Sequence, residues 1–178
     1  MLADFRHRKL DVEDEATGAA AQRYFAAAGW LADRHAMMRR EGPARAHADV
    51  EEVPLAATRA LDIEWVSEYD HDIEAVERFA AQREPVLARR GMRAFAIPDV
   101  GFTLLAMGEE AVEIDALYVT PSARGQGAGT RLLETALAAG GHDVAWIVAA
   151  DEGGARELYE RLGFVTVWRP HSFVRRPS

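Results

Sequence analysis

The sequence predicts an α/β chain: a mixed sheet flanked by helices, with a β-α-β unit in front of it. Three observations carry this. An apolar strand, Ile114 to Val119, runs into a proline, a glycine loop and then a helix, Arg131 to Leu137. Two apolar runs, Met92 to Ile97 and Gly101 to Met107, flank Pro98-Asp99-Val100 and read as a hairpin. The helix that ends in Gly163-Phe164 has a counterpart near the start of the chain that ends in Gly29-Trp30.

The opening residues supply the first elements. Arg8 to Val12 reads as a strand, and a helix and a second strand ending at Arg39-Arg40 follow. Ala21, Tyr24, Phe25, Ala28, Gly29 and Trp30 repeat the pattern of Ala155, Leu158, Tyr159, Leu162, Gly163 and Phe164, each pair 134 residues apart. Each copy follows a strand-like run and precedes a strand ending in Arg-Arg, Arg175-Arg176 in the second. The pattern is either a half-repeat or a match between two amphipathic helices that end in Gly-aromatic. Glu41 to Ala44 is the linker, so residues 1–42 form one unit and residues 47–178 another.

Val50 to Val53 is a short strand before Pro54. Ala56 to Val66 is a helix with Leu61, Trp65 and Val66 on one side, and Ser67 to Asp72 is a polar loop. Ile73 to Arg90 is a second helix, with Pro85 inside it and Gly91 at its end. After the hairpin, Gly108-Glu109-Glu110 turns into the strand Val112 to Val119. Strict alternation places Glu113, Asp115, Leu117 and Val119 on one face, with Val112, Ile114, Ala116 and Tyr118 on the other. A helix, the strand Asp143 to Ala149, a helix and a final hairpin, Val165 to Val174, complete the chain.

Composition excludes several classes. With 178 residues and 49% hydrophobic content, the chain can build a core of ordinary size. There is no cysteine, hence no disulfide and no thiolate nucleophile. The six histidines show no ligand spacing, and no metal is expected. No apolar run approaches the ~20 residues of a membrane span, and Met1 to Arg6 lacks a signal-peptide core. A cytoplasmic location is expected. Net charge is −8, which disfavours nucleic acid. Between Ala48 and Glu77 ten acids face the single base Arg59. That run is either a solvated helix face or an electrostatic lure for a cationic acceptor.

The loop Arg124-Gly125-Gln126-Gly127-Ala128-Gly129 is neither a dinucleotide fingerprint nor a P-loop. Its glycines let backbone approach a ligand closely, and the N–H groups of the following helix start can meet phosphate oxygens. Preceded by Val-x-Pro and reading Arg-x-x-Gly-x-Gly, it resembles the pyrophosphate loop of the GNAT superfamily, Gln/Arg-x-x-Gly-x-Gly/Ala. Leu158-Tyr159-Glu160-Arg161-Leu162-Gly163-Phe164 resembles the same family's second coenzyme-contacting helix, and the order and gap of the two motifs fit.

The resemblance implies a mixed, mostly antiparallel central sheet flanked by helices. It implies acetyl-CoA as co-substrate and an amine acceptor, a small molecule or a peptide, and it leaves a homodimer open. Arg124, Gly125, Gln126, Gly127, Ala128, Gly129 and Thr130 would hold the coenzyme, with backbone groups of Leu117, Tyr118 and Val119 on the strand, which bulges in the family. Tyr159 would be the acid that protonates the departing thiolate; the other reading is a buried helix stripe. Glu113 would be the base, with Asp115 in reserve; the other reading is a surface ion pair. Trp65, Tyr69 and His71 would line the acceptor side. Glu152 departs from the asparagine that relatives often carry there. The N-terminal unit would then be a degenerate copy of the family's C-terminal β-α-β. The resemblance implies an acetyl-CoA-dependent N-acetyltransferase; the alternative is a coenzyme A-binding module without catalysis.

Overall fold

A computed structural model describes residues 8–69, 71–151 and 154–175. Asp70, Glu152 and Arg176, which the sequence reading used, lie outside the described residues, as does Met1 to Arg6. Two compact units divide the chain: Glu41–Trp146, and the residues up to Arg40 together with those from Ile147.

The unit from Glu41 to Trp146 is a three-layer structure. Its strands β3 (Glu51–Val53), β4 (Arg93–Ile97), β5 (Gly101–Met107) and β6 (Val112–Val119) pair antiparallel in chain order. On one face lie α2 (Arg59–Ser67) and α3 (Ile73–Arg89), reached through a 3-10 turn at Leu55–Thr58. Asp72 caps α3 by accepting from the Ala75 amide at 3.1 Å. The helix runs through Pro85. On this face Leu87 of α3 meets Ala94, Phe102, Leu104, Ala116 and Tyr118, with Leu61 and Trp65 of α2 packed against them. On the other face lies α4 (Ala128–Gly140), whose Leu132, Leu133 and Ala136 are fully buried. Gly140 lets α4 close on the sheet, since a Cβ there would meet Val112 Cγ1 at 2.8 Å.

The turn between β4 and β5 is closed by Val100 N–H donating to Ile97 C=O at 3.0 Å, with Asp99 at φ 58. Proline ahead of a residue that tolerates the left-handed region is what such a turn demands.

Alternation along β6 does not survive the structure. Leu104 pairs with Ala116 but Leu105 pairs with Ile114, so Asp115 has no Cα partner. This β-bulge exchanges the faces of everything beyond it. Val112 packs toward α4, whereas Ala116 and Tyr118 face α2 and α3. Leu117 and Val119 therefore share the α4 face with Val112 and Ile114. Asp115 pairs with arginines of α3, and Glu113 pairs with Ala106, which packs on the α2/α3 cluster. The buried Thr103 hydroxyl donates to the Ala116 carbonyl beside the bulge at 2.7 Å.

The second unit contains β1 (Arg8–Val12), α1 (Glu15–Ala27), β2 (Leu31–Glu41), the later part of β7 (Val144–Ala150), α5 (Gly154–Arg161), β8 (Val165–Trp168) and β9 (His171–Arg175). Asp14 caps α1, accepting from the Thr17 amide at 2.8 Å. The expected final hairpin is not formed. β9 lies between β1 and β2, antiparallel to both, and β8 pairs with β2 instead of folding back on β9. The long β2 offers a ladder to both strands, which a short hairpin cannot match.

The two helix ends of this unit close alike. Gly29 and Gly163 take φ 77 and φ 85. Trp30 N–H donates to Phe25 C=O at 2.9 Å, and Phe164 N–H to Tyr159 C=O at 3.0 Å. The rings pair as well, Phe25 with Trp30 and Tyr159 with Phe164. Phe25 also stacks on Phe173, 4.3 Å between centroids.

Candidate active site

Within Glu41–Trp146, the end of β6, the glycine loop and the C-terminus of α2 converge. After Val119 the chain makes a 3-10 turn at Pro121–Ala123 and enters the loop. Gly125 and Gly127 take φ 76 and φ 78, which side chains rarely adopt. A Cβ on Gly125 would meet nothing within 4 Å, so conformation and not crowding calls for glycine there. Gly127 is the N-cap of α4 and offers no side-chain cap. Among the described residues, the first amides of this thirteen-residue helix thus have no intrahelical acceptor and no N-cap side chain. Gln126 and Arg131 turn back on the loop itself, Gln126 donating to Ser122 C=O at 3.0 Å and Arg131 to Gln126 C=O at 3.1 Å. Ala128 is buried, and Gly129 and Thr130 are half-buried in the first turn. Such a cradle suits a phosphate: amides, dipole and glycine backbone all face an anion favourably.

Arg124 donates from Nε to Val119 C=O at 3.0 Å and is ion-paired with Glu68 at the end of α2. Its guanidinium lies over the Tyr118 ring, 5.8 Å from the centroid. Tyr118 is 3% exposed, and its hydroxyl lies beside the Glu64 carboxylate without a well-formed hydrogen bond among the described residues. Burial first, then the Glu64 and Glu68 carboxylates, push this phenol far above its ordinary value, against Arg124. Nothing in local spacing announced the Glu68–Arg124 pair, which joins residues 56 positions apart.

Glu113 and Asp115 differ. Asp115 is held by Arg83 at 3.1 Å and Arg90 at 3.5 Å. Arg83 also pairs with Asp62 and covers the Trp65 ring at 5.3 Å, so one guanidinium ties α3 to α2 and β6. Burial raises the Asp62 carboxyl despite Arg83. Glu113 is half-buried, with no hydrogen bond or ion pair among the described residues. Burial, then Asp115, raise its carboxyl above the usual range, and Arg90 opposes them.

Trp65 packs edge-on against Phe102 at 6.4 Å, while Tyr69 and His71 are exposed. The acidic run is partly tied down: Asp49 to Arg131, Glu52 to Arg93, Asp62 to Arg83 and Glu68 to Arg124. In the other unit, Tyr159 is 6% exposed, and burial pushes its hydroxyl up to about 12.

The acetyltransferase (GNAT) family profile matches residues 56–164, more than half of the chain. The chain belongs to the GNAT acetyltransferase family. Solved structures share its mixed, mostly antiparallel sheet flanked by helices. A conserved protein of unknown function from Staphylococcus epidermidis ATCC 12228 superposes with a TM-score of 0.71 at 14% identity, covering 97% of this chain and 73% of its own. A GCN5-related N-acetyltransferase from Sphaerobacter thermophilus gives 0.59 at 17%, covering 97% and 61%. A tandem GNAT protein from the clavulanic acid biosynthesis pathway gives 0.59 at 17%, covering 97% and 64%. The chain thus spans under two thirds of the last two. No curated protein matches the sequence significantly. The GNAT match spans both compact units. No helix among the described residues is long and apolar enough to cross a membrane.

Proposed function

We propose that this GNAT protein transfers an acetyl group from acetyl-CoA to a primary amine, a small cationic amine or a peptide amine, by direct attack in a ternary complex. The observation that carries the reading is the loop at Arg124 to Gly129: two left-handed glycines leading into an uncapped helix start. A pyrophosphate is the ligand such a backbone suits.

The chemistry needs three groups. An alkylammonium, with a pKa around 10.4, must lose a proton before attack. Glu113 is the base, because it keeps no cation partner and its raised carboxyl favours proton uptake. Backbone amides of Leu117 to Val119 receive the acetyl carbonyl and the pantetheine amides. Tyr159 is the acid; it stays protonated throughout the working range. Trp65, Tyr69 and His71, with the carboxylates of α2 and its loop, receive the acceptor. The same segment attracts cations over distance, so apparent acceptor affinity falls as salt rises.

The matched helix closures at Gly29 and Gly163 support reading residues 1–42 as a half-repeat that exchanges strands with the C-terminal copy. Cleavage of the linker Glu41 to Ala44 should leave its two fragments associated.

The deciding experiment follows thiol release and product mass with acetyl-CoA and an amine panel. Amine-dependent thiol release is expected. Tight coenzyme binding without amine-dependent release would assign the chain to the binding-module alternative.

A further inference from the structure

We propose that Glu68 and Tyr118 form a recognition site for a second, non-reacting cation on the acceptor, and that Arg124 fills this site until the coenzyme draws it away. The proposal rests on the acetyltransferase reading above.

Arg124 is an organic cation seated as a ligand would be. Its guanidinium meets the Glu68 carboxylate and lies over the face of Tyr118. A carboxylate beside an aromatic face is the ordinary recognition unit for ammonium and guanidinium groups. Tyr118 adds an independent observation: its buried hydroxyl sits among Glu64, Glu68 and Arg124, beside the Glu64 carboxylate but short of a well-formed hydrogen bond among the described residues.

Arg124 also has a second claim on it. It is the first residue of the loop that cradles the pyrophosphate, and a diphosphate is a stronger partner than one carboxylate. The Arg124 and Glu68 side chains are 50% and 31% exposed, so their pair is weak and exchangeable. Coenzyme binding therefore converts an occupied cation site into a vacant one. One consequence follows: the preferred acceptor carries a second positive charge besides the amine that reacts. A diamine or a guanidino-amine has that form. The reacting amine must be neutral at attack, so the recognised charge belongs to the other group.

The test compares the wild type with Glu68→Gln and Tyr118→Phe. Coenzyme A affinity is measured by calorimetry. Specificity is read as kcat/KM for a straight-chain diamine over that for the monoamine carrying a methyl group in place of the second ammonium. Glu68→Gln should bind coenzyme A about two- to fivefold more tightly, since the competing partner of Arg124 is gone. Its diamine-over-monoamine ratio should fall about tenfold. Tyr118→Phe should lower the same ratio without lowering the thermal midpoint, because its hydroxyl makes no well-formed hydrogen bond among the described residues. An unchanged ratio in both variants overturns the cation site, and weaker coenzyme binding in Glu68→Gln overturns the exchange. A wild type that binds coenzyme yet acetylates no amine refutes the acetyltransferase reading. The site then stands or falls on the same ratio measured as calorimetric affinities.

Discussion

Gly127 and Gly129 should respond differently to the same substitution, and the difference separates a phosphate cradle from a tight turn. Gly127 sits at φ 78, where a left-handed L-residue costs roughly 1–2 kcal/mol. A Cβ there meets only Arg131 Nη1, at 3.4 Å, so the cost is conformational. Gly129 lies inside α4 and is not left-handed. Alanine there should stabilise the helix by about 0.5–1 kcal/mol. For a chain of this size that is a thermal midpoint lowered by about 2–8 °C in Gly127→Ala and raised by about 1–4 °C in Gly129→Ala. The decisive variant is Gly129→Val. Its helix propensity is close to that of glycine, so propensity adds no penalty, and the thermal melt reads any effect on the fold. A branched side chain at the helix start would nevertheless hold a diphosphate off the amides. Losing one charge-assisted hydrogen bond, worth about 1.5–3 kcal/mol, weakens coenzyme binding by about 10- to 150-fold. Calorimetric titration with acetyl-CoA, alongside thermal melts, reads both quantities. Gly129→Val that keeps wild-type affinity would refute the cradle and leave only a turn.

Three further outcomes follow from the packing. Tyr159→Phe should slow turnover while leaving coenzyme affinity intact. Full proton transfer from a phenol near 12 to a thiolate of ordinary pKa, about 8.5, is uphill, so the loss should sit toward the low end of the roughly 10²–10⁴-fold range for acid catalysis. Because burial raises this phenol, its contribution to stability is lost as pH climbs from 10.0 toward about 12, and the phenylalanine variant should resist alkaline unfolding better. Arg83→Ala strands Asp62, leaves Asp115 to Arg90, and should cost about 3–5 kcal/mol in urea unfolding at pH 7, with the deficit shrinking in acid as Asp62 takes up a proton. Gly18→Ala should cost about 1–3 kcal/mol, because its Cβ would run into the buried His171 ring, with Cγ at 2.7 Å; a melt at the wild-type midpoint would show that the ring moves aside freely.

What the sequence disclosed is what local chemistry encodes. The glycine loop and the Pro-Asp turn each depend on residues within a few positions of one another. The family motifs share that character, which is why the loop and the helix ending in Gly163-Phe164 were legible. Long-range pairing was not. Nothing in Val165 to Val174 distinguishes a strand that folds back on its neighbour from one taken by β2, because both present the same alternating edge. The acidic run looked like free charge for the same reason. Its arginine partners lie on α3, β4, the glycine loop and α4, and spacing within the run cannot reveal them.

The resemblance implied that this strand bulges, but not that the bulge falls at Asp115. Alternation made Glu113 and Asp115 equivalent, two acids on one face of one strand. In the structure Asp115 is engaged by Arg83 and Arg90, and Glu113 is half-buried with no ion pair among the described residues. One carboxylate is therefore ion-paired in the packing, and the other is raised by burial and by its neighbour Asp115. Folding with Glu113 ionised is disfavoured increasingly as pH rises through its raised pKa, so Glu113→Gln should be at least as stable as the wild type at pH 7 and no different in acid. The same variant should lose about 10²–10⁴-fold in kcat/KM, together with an acid limb placed above the ordinary glutamate value. Asp115→Asn should do the opposite, giving up about 1–3 kcal/mol of stability while keeping that limb. If the two variants exchanged these behaviours, Asp115 would be the base and Glu113 the structural acid.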